Sequence, residues 1–144
     1  MDNPFSTWQF WALLSAVFAA FTAIFAKVGI EDINSDFATF IRTIVIVCVL
    51  GGILLVTHQY QSFSTISTKS LIFLVLSGLA TGASWLCYFR ALKLGNASQV
   101  VPIDKLSVVL VAVFGVIFLS EKLSVTNWWG VALITVGALL VAIK

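Results

Sequence analysis

Charge is scarce in this sequence. Of 144 residues, 10% are Asp, Glu, Lys or Arg, against about 25% in a soluble domain. So few charges cannot cover the surface of a water-soluble globule. There is one His, and the two Cys, Cys48 and Cys87, both sit inside apolar runs. That leaves no metal-ligand cluster and no secreted disulfide scaffold. The basic residues form no run and the net charge is +2, which excludes a nucleic-acid interface. No Gly-rich phosphate loop is present, and no nucleophile has a base partner in a recognisable motif. Neither an enzyme nor a cofactor is expected. What is present is apolar: 60% hydrophobic residues and 13% aromatic, with mean hydropathy +1.10. The composition is that of a polytopic, all-α integral membrane protein.

A membrane helix needs roughly 20 mostly apolar residues to cross about 30 Å of hydrocarbon. Five windows qualify, at about 8–27, 36–57, 70–93, 99–119 and 125–143. Gly29 with the polar run Glu31 to Ser35 separates the first two, and a Ser/Thr/Gln-rich stretch from Thr57 to Lys69 the next two. Leu94-Gly95-Asn96-Ala97 is a tight turn, and Ser120 to Ser124 precedes the last span. Links this short make successive helices antiparallel neighbours within a single membrane domain, 1–144. The leader Met1-Asp2-Asn3-Pro4 is acidic, so the first span reads as a retained helix rather than a signal peptide.

An odd number of spans puts the termini on opposite sides. Lys69 and Lys122 flank the spans on the N-terminal side; Lys27, Lys93 and Lys144 flank them on the other, with Arg42 and Arg90 just inside it. The bias favours a cytoplasmic location for that second side but is small, so insertion in both orientations is open. Trp8 and Trp11, with Trp128 and Trp129, start the first and last spans as an interfacial belt. Ala12, Ala16, Ala19, Ala23 and Ala26 form a smooth stripe in the first span, with Phe18, Phe21 and Phe25 on another face toward lipid. Gly78 and Gly82 in the third span, and Gly130 and Gly137 in the fifth, are further expected sites of helix packing. Trp85, in the middle of the third span with Tyr88 nearby, either lines a cavity or packs against another helix.

The most informative residues are those a bilayer excludes. A charge inside a span costs roughly 2.5–3.5 kcal/mol on insertion scales. Four such residues occur: Arg42, Arg90, Asp104 and Lys105. At 1.5 Å per residue, Arg42 lies roughly 9 Å into its helix and Arg90 about 5 Å from the end of its own. Asp104 and Lys105 lie roughly 8–10 Å into the fourth span, giving one ionisable layer nearer the second side. Two arrangements satisfy it. Asp104 pairs with Arg42 or Arg90 and Lys105 faces elsewhere, or the arginines snorkel outward while Asp104 and Lys105 pair locally. Pro102 interrupts the fourth span beside the acid, freeing the carbonyl near Ser98 and bending the helix. Carriers place broken helices of this kind at binding sites.

Ala91-Leu92-Lys93-Leu94-Gly95-Asn96-Ala97-Ser98, followed by Val101-Pro102-Ile103-Asp104-Lys105-Leu106-Ser107, resembles the helix 3–helix 4 junction of EamA-type proteins of the drug/metabolite transporter superfamily. Phe118 to Leu123 and the Trp129-Gly130 to Gly137 segment are similar to that family's closing helix, and Ala38 to Thr43 fits its second. Ser120 stands where the family usually has the first glycine of a Gly-Glu pair. Most members carry two five-helix units as inverted repeats; this chain carries one and resembles the small single-unit branch. The resemblance implies half of an inverted-repeat transporter in a bacterial or archaeal inner membrane. An antiparallel copy, or a paralogous partner, would complete it. The substrate would be a small polar metabolite such as an amino acid or carboxylate, moved outward. Arg42, Arg90, Asp104 and Lys105 would then act as gates, with Trp85 and Tyr88 nearer the central cavity and Asp104 as a candidate proton-coupling site. A small multidrug-type exporter of lipophilic cations fits less well, because that class uses an acid in its first helix and none lies between Trp8 and Ala26. The alternative from another class is a non-transporting accessory or lipid-carrier-handling subunit of a membrane complex.

Overall fold

The computed structural model describes residues 7–143. The described chain is helical throughout: α1 (Trp8–Gly29), α2 (Ser35–Thr57), a single 3₁₀ turn (Phe63–Thr65), α3 (Thr68–Leu94), α4 (Ala97–Asp104), α5 (Ser107–Phe118) and α6 (Val125–Ala142). Five spans result, with α4 and α5 together forming the fourth. Each coincides with an expected window to within a few residues. Most large apolar side chains along these helices point outward, among them Phe18, Phe21 and Phe25 of α1 and the run Leu71 to Leu76 of α3. In lipid such faces need no protein cover. Hydroxyls inside the spans are satisfied locally. Thr39, Thr43, Thr81 and Thr135 each donate to the carbonyl four residues earlier, at 2.8–2.9 Å.

The chain divides into two compact units, residues 26–93 and residues 1–25 with 94–144. In the first unit the core lies where α1 ends, α2 begins and α3 ends. Ile30, Phe89 and Leu92 are almost wholly buried there, with Ala26, Ala38 and Thr39 close behind. The start of α2 is fixed by Asn34, whose side chain accepts from the N–H groups of Asp36 and Phe37 at 2.8 and 3.2 Å. That cap satisfies two of the helix's orphan donors, and Asp36 in the first turn complements its dipole. His58 closes α2 in the left-handed region, at φ 51°.

In the second unit α4 and α5 both pack along α6, α4 the more extensively. Ser124 caps α6 by accepting from the N–H of Asn127. At the end of α5 the N–H groups of Leu119 and Glu121 converge on the carbonyl of Gly115, each at 3.1 Å. Ser120 between them has φ 55°, a region that suits glycine and that an L residue enters at a cost of roughly 1–2 kcal/mol. The turn therefore forms without the glycine that the resemblance implies at this position. Gly115 is buried, and an added Cβ there would lie 2.6 Å from Glu121 Oε2.

The small residues of the spans are covered to different extents. Of the α1 alanine stripe, Ala23 and Ala26 are buried while Ala12, Ala16 and Ala19 stay exposed. A methyl added at Gly78, Gly82, Gly130 or Gly137 would meet nothing within 4 Å. These glycines form smooth surface that another helix can approach.

Candidate functional site

In the unit comprising residues 26–93, Lys27, Arg90 and Lys93 are held by oxygen partners at the helix ends. Asp36, one residue into α2, faces the last turns of α3. Arg90 reaches it with both arms of its fork, Nε donating to Oδ1 at 3.0 Å and Nη2 to Oδ2 at 2.7 Å. This bidentate geometry fixes both distance and orientation, and it ties the first turn of α2 to the last turns of α3. Two lysines tie the same end together reciprocally. Lys27, in the last turn of α1, donates to the carbonyl of Leu92 at 2.6 Å. Lys93, in the last turn of α3, donates to the carbonyls of Ile30, Glu31 and Ile33 at 2.9, 3.2 and 2.6 Å. Each lysine thus supplies a cation to the carbonyl-rich, negative end of the other's helix. A cleft of about 420 Å³ opens among Lys27, Val28, Ile30, Glu31 and Lys93. With three donors, all committed, the Lys93 ammonium has none left for a ligand in it.

Arg42 is arranged differently. It lies two turns into α2, half-buried, with Cζ 4.2 Å from the centre of the Trp85 ring and 5.5 Å from that of Phe89. Trp85 and Phe89 are one turn apart on α3, so they form a continuous aromatic floor under the guanidinium. Cation–π contacts contribute about 0.5–2 kcal/mol, less than the roughly 2.5–3.5 kcal/mol cost of placing an arginine inside a span. Tyr88 is half-buried beside this floor, its ring edge-on to Phe89 at 6.2 Å between centroids.

In the other unit, Asp104 ends α4 and Lys105 begins the break before α5. Lys105 Nζ lies 3.2 Å from Asp104 Oδ2. Of the two arrangements open to Asp104, the local pair is the one observed. Pro102 sits inside α4, and the discontinuity falls just beyond it at Lys105 and Leu106. There the backbone tightens to three-residue spacing, with Leu106 N–H donating to Ile103, Val108 to Lys105 and Val109 to Leu106, each at 3.0 Å. The span is broken without being unwound. An open groove of about 440 Å³ runs along the break, lined by Asp104, Ser107 and Thr135 among apolar residues.

The expected site residues therefore resolve into separate devices. Arg42 and Trp85 come together, with Phe89 as an unexpected third member. Arg90 takes Asp36, the first residue of the second window, to which the sequence pattern assigned no role. Lys27 and Lys93, read there only as flanking charges, prove to be the main ties of their unit. Among the described residues no group of three or more His, Cys, Asp or Glu could hold a metal ion.

Five apolar spans, a broken helix carrying an acid, and charges positioned inside the spans define a multi-pass membrane protein of transporter type. The family model for EamA-like transporters matches residues 6–143, and the chain belongs to that family. An uncharacterized transporter in the cobO 3′ region of Sinorhizobium sp. is 65% identical over 137 residues, covering 95% of this chain and 97% of that one. An uncharacterized protein of Methanocaldococcus jannaschii is 29% identical, covering 92% of this chain and 93% of its own length. The uncharacterized transporter YxxF of Bacillus subtilis is 26% identical over 93% of this chain but only 42% of its own length. No solved structure is significantly similar. The protein is an integral, multi-pass membrane transporter of this family.

Proposed function

We propose that the chain is one half of a secondary carrier that exports a small polar metabolite, an amino acid or other carboxylate, and that an oppositely oriented copy of itself supplies the other half. The observation that carries this reading is the match to a transporter of more than twice the aligned length. Two such units fit within one longer relative, so a single unit needs a second to enclose a path. An odd number of spans makes an inverted partner a matter of opposite insertion, the geometry in which inverted-repeat carriers place substrate near the midplane. The uncovered Gly78/Gly82 and Gly130/Gly137 surfaces support it, since small residues let two membrane helices approach closely.

In this reading the Asp36–Arg90 pair is a gate that opens and closes with each cycle. Asp104 is the coupling acid, at a break whose partner Lys105 is held by one 3.2 Å contact. The protein in proteoliposomes will drive counterflow of radiolabelled amino acids or dicarboxylates, and Asp104→Asn will lower the rate by about tenfold, equivalent to roughly 1.4 kcal/mol, and flatten its pH dependence. Unchanged flux with an unchanged pH profile removes Asp104 from coupling.

A further inference from the structure

Beside Lys27, Arg90, Lys93 and Lys105, Arg42 stands apart in what it touches. Arg90 has the Asp36 carboxylate, Lys27 and Lys93 have backbone carbonyls, and Lys105 has Asp104. Arg42 has two aromatic faces. Neither described ion pair includes it, and among the described residues its guanidinium makes no hydrogen bond. The nearby hydroxyls of Thr39 and Thr43 are turned to backbone carbonyls of their own helix.

We infer that Arg42, lying on the Trp85–Phe89 floor with the edges of its guanidinium uncommitted, is the receptor for a carboxylate group of the cargo. The inference rests on the carrier reading for the word cargo, while the binding site itself stands on the geometry. A guanidinium carries its five N–H donors in its plane. The ring contact, with Cζ 4.2 Å from the Trp85 centroid, commits none of those donors to a hydrogen bond, so an oxyanion that approaches edge-on is held by two parallel bonds. One cation balances one carboxylate. A phosphate dianion would keep an unneutralised charge where water is sparse, so the site favours the carboxylate. The ring floor beside it suits an apolar body on the same molecule.

The test uses the full chain in phosphatidylcholine nanodiscs, with Trp8, Trp11, Trp128 and Trp129 replaced by Phe so that Trp85 alone reports. Lactate, succinate, glutamate and benzoate are titrated against its emission, with inorganic phosphate and choline chloride as controls. The expected result is a saturable change with at least one carboxylate and none with choline chloride. Arg42→Gln should lose the response, and Arg42→Lys, which keeps the charge but not the fork, should raise the half-saturation concentration by about tenfold. Circular dichroism checks that each variant keeps its helices, and Arg42→Lys carries the test if Arg42→Gln does not fold. The inference is overturned if no carboxylate changes the emission, if phosphate binds more tightly than every carboxylate, or if either Arg42 variant titrates like the parent. A carboxylate response without flux in proteoliposomes would keep the receptor and remove the carrier reading. Flux undiminished in Arg42→Gln would do the reverse.

Discussion

Asp36→Arg, which sets a second cation against Arg90, will reduce flux at least about tenfold, a loss equivalent to roughly 1.4 kcal/mol of barrier or more. Combining it with Arg90→Asp will restore a large part of the rate. The reason is the bidentate contact between the first turn of α2 and the last turns of α3, which like charges would force apart. Recovery will be incomplete, because the swapped arginine sits at the positive end of the α2 dipole, a placement that costs roughly 0.3–1 kcal/mol. Initial-rate counterflow on the two single variants and the double variant gives the cycle. If both singles transport at the parent rate, the pair is helix-end dressing and the gate lies elsewhere.

The largest stability effect falls on a residue with no part in the proposed transport. Lys93→Met keeps the aliphatic stem and removes the donor shared by the carbonyls of Ile30, Glu31 and Ile33. Hydrogen bonds from charged donors contribute roughly 1.5–3 kcal/mol each, and partial exposure at the helix ends brings the expected total to about 3 kcal/mol. Lys27→Met removes the bond to the Leu92 carbonyl and should lower the melting temperature as well. Thermal melting in detergent measures both. Hydrogen exchange should show the Ile30 and Glu31 amides, which donate to the Ala26 and Val28 carbonyls, losing protection in Lys93→Met ahead of α2. An unchanged melting temperature in Lys93→Met would contradict the account of Lys93 as a main tie.

The spans were legible because lipid imposes a simple demand: some twenty apolar residues, then a polar turn. The windows at 36–57 and 125–143 match α2 and α6 almost residue for residue. The break in the fourth span was legible from Pro102, although its position was displaced to Lys105 and Leu106, where the backbone could tighten. Partner choice was much less legible. Arg90 had several acids within conceivable reach, and only the antiparallel register of α2 and α3 selects Asp36. Lys27 and Lys93 bind backbone carbonyls, which every residue carries and no sequence pattern marks. At Ser120 the turn is enforced by the ends of α5 and α6, and the residue accepts a left-handed backbone that its type disfavours.

The central claim, that a single unit is completed by an inverted copy of itself, is tested most directly by sidedness. Single cysteines would be placed at Ser64, in the link between α2 and α3, and at Asn96, between α3 and α4. Cys48 and Cys87 would first be replaced by Ala, and intact cells labelled with a membrane-impermeant maleimide. The account predicts that each site is labelled in part of the population, because the chain inserts both ways. Labelling at only one of the two sites, with the other wholly protected until the cells are opened, would contradict it.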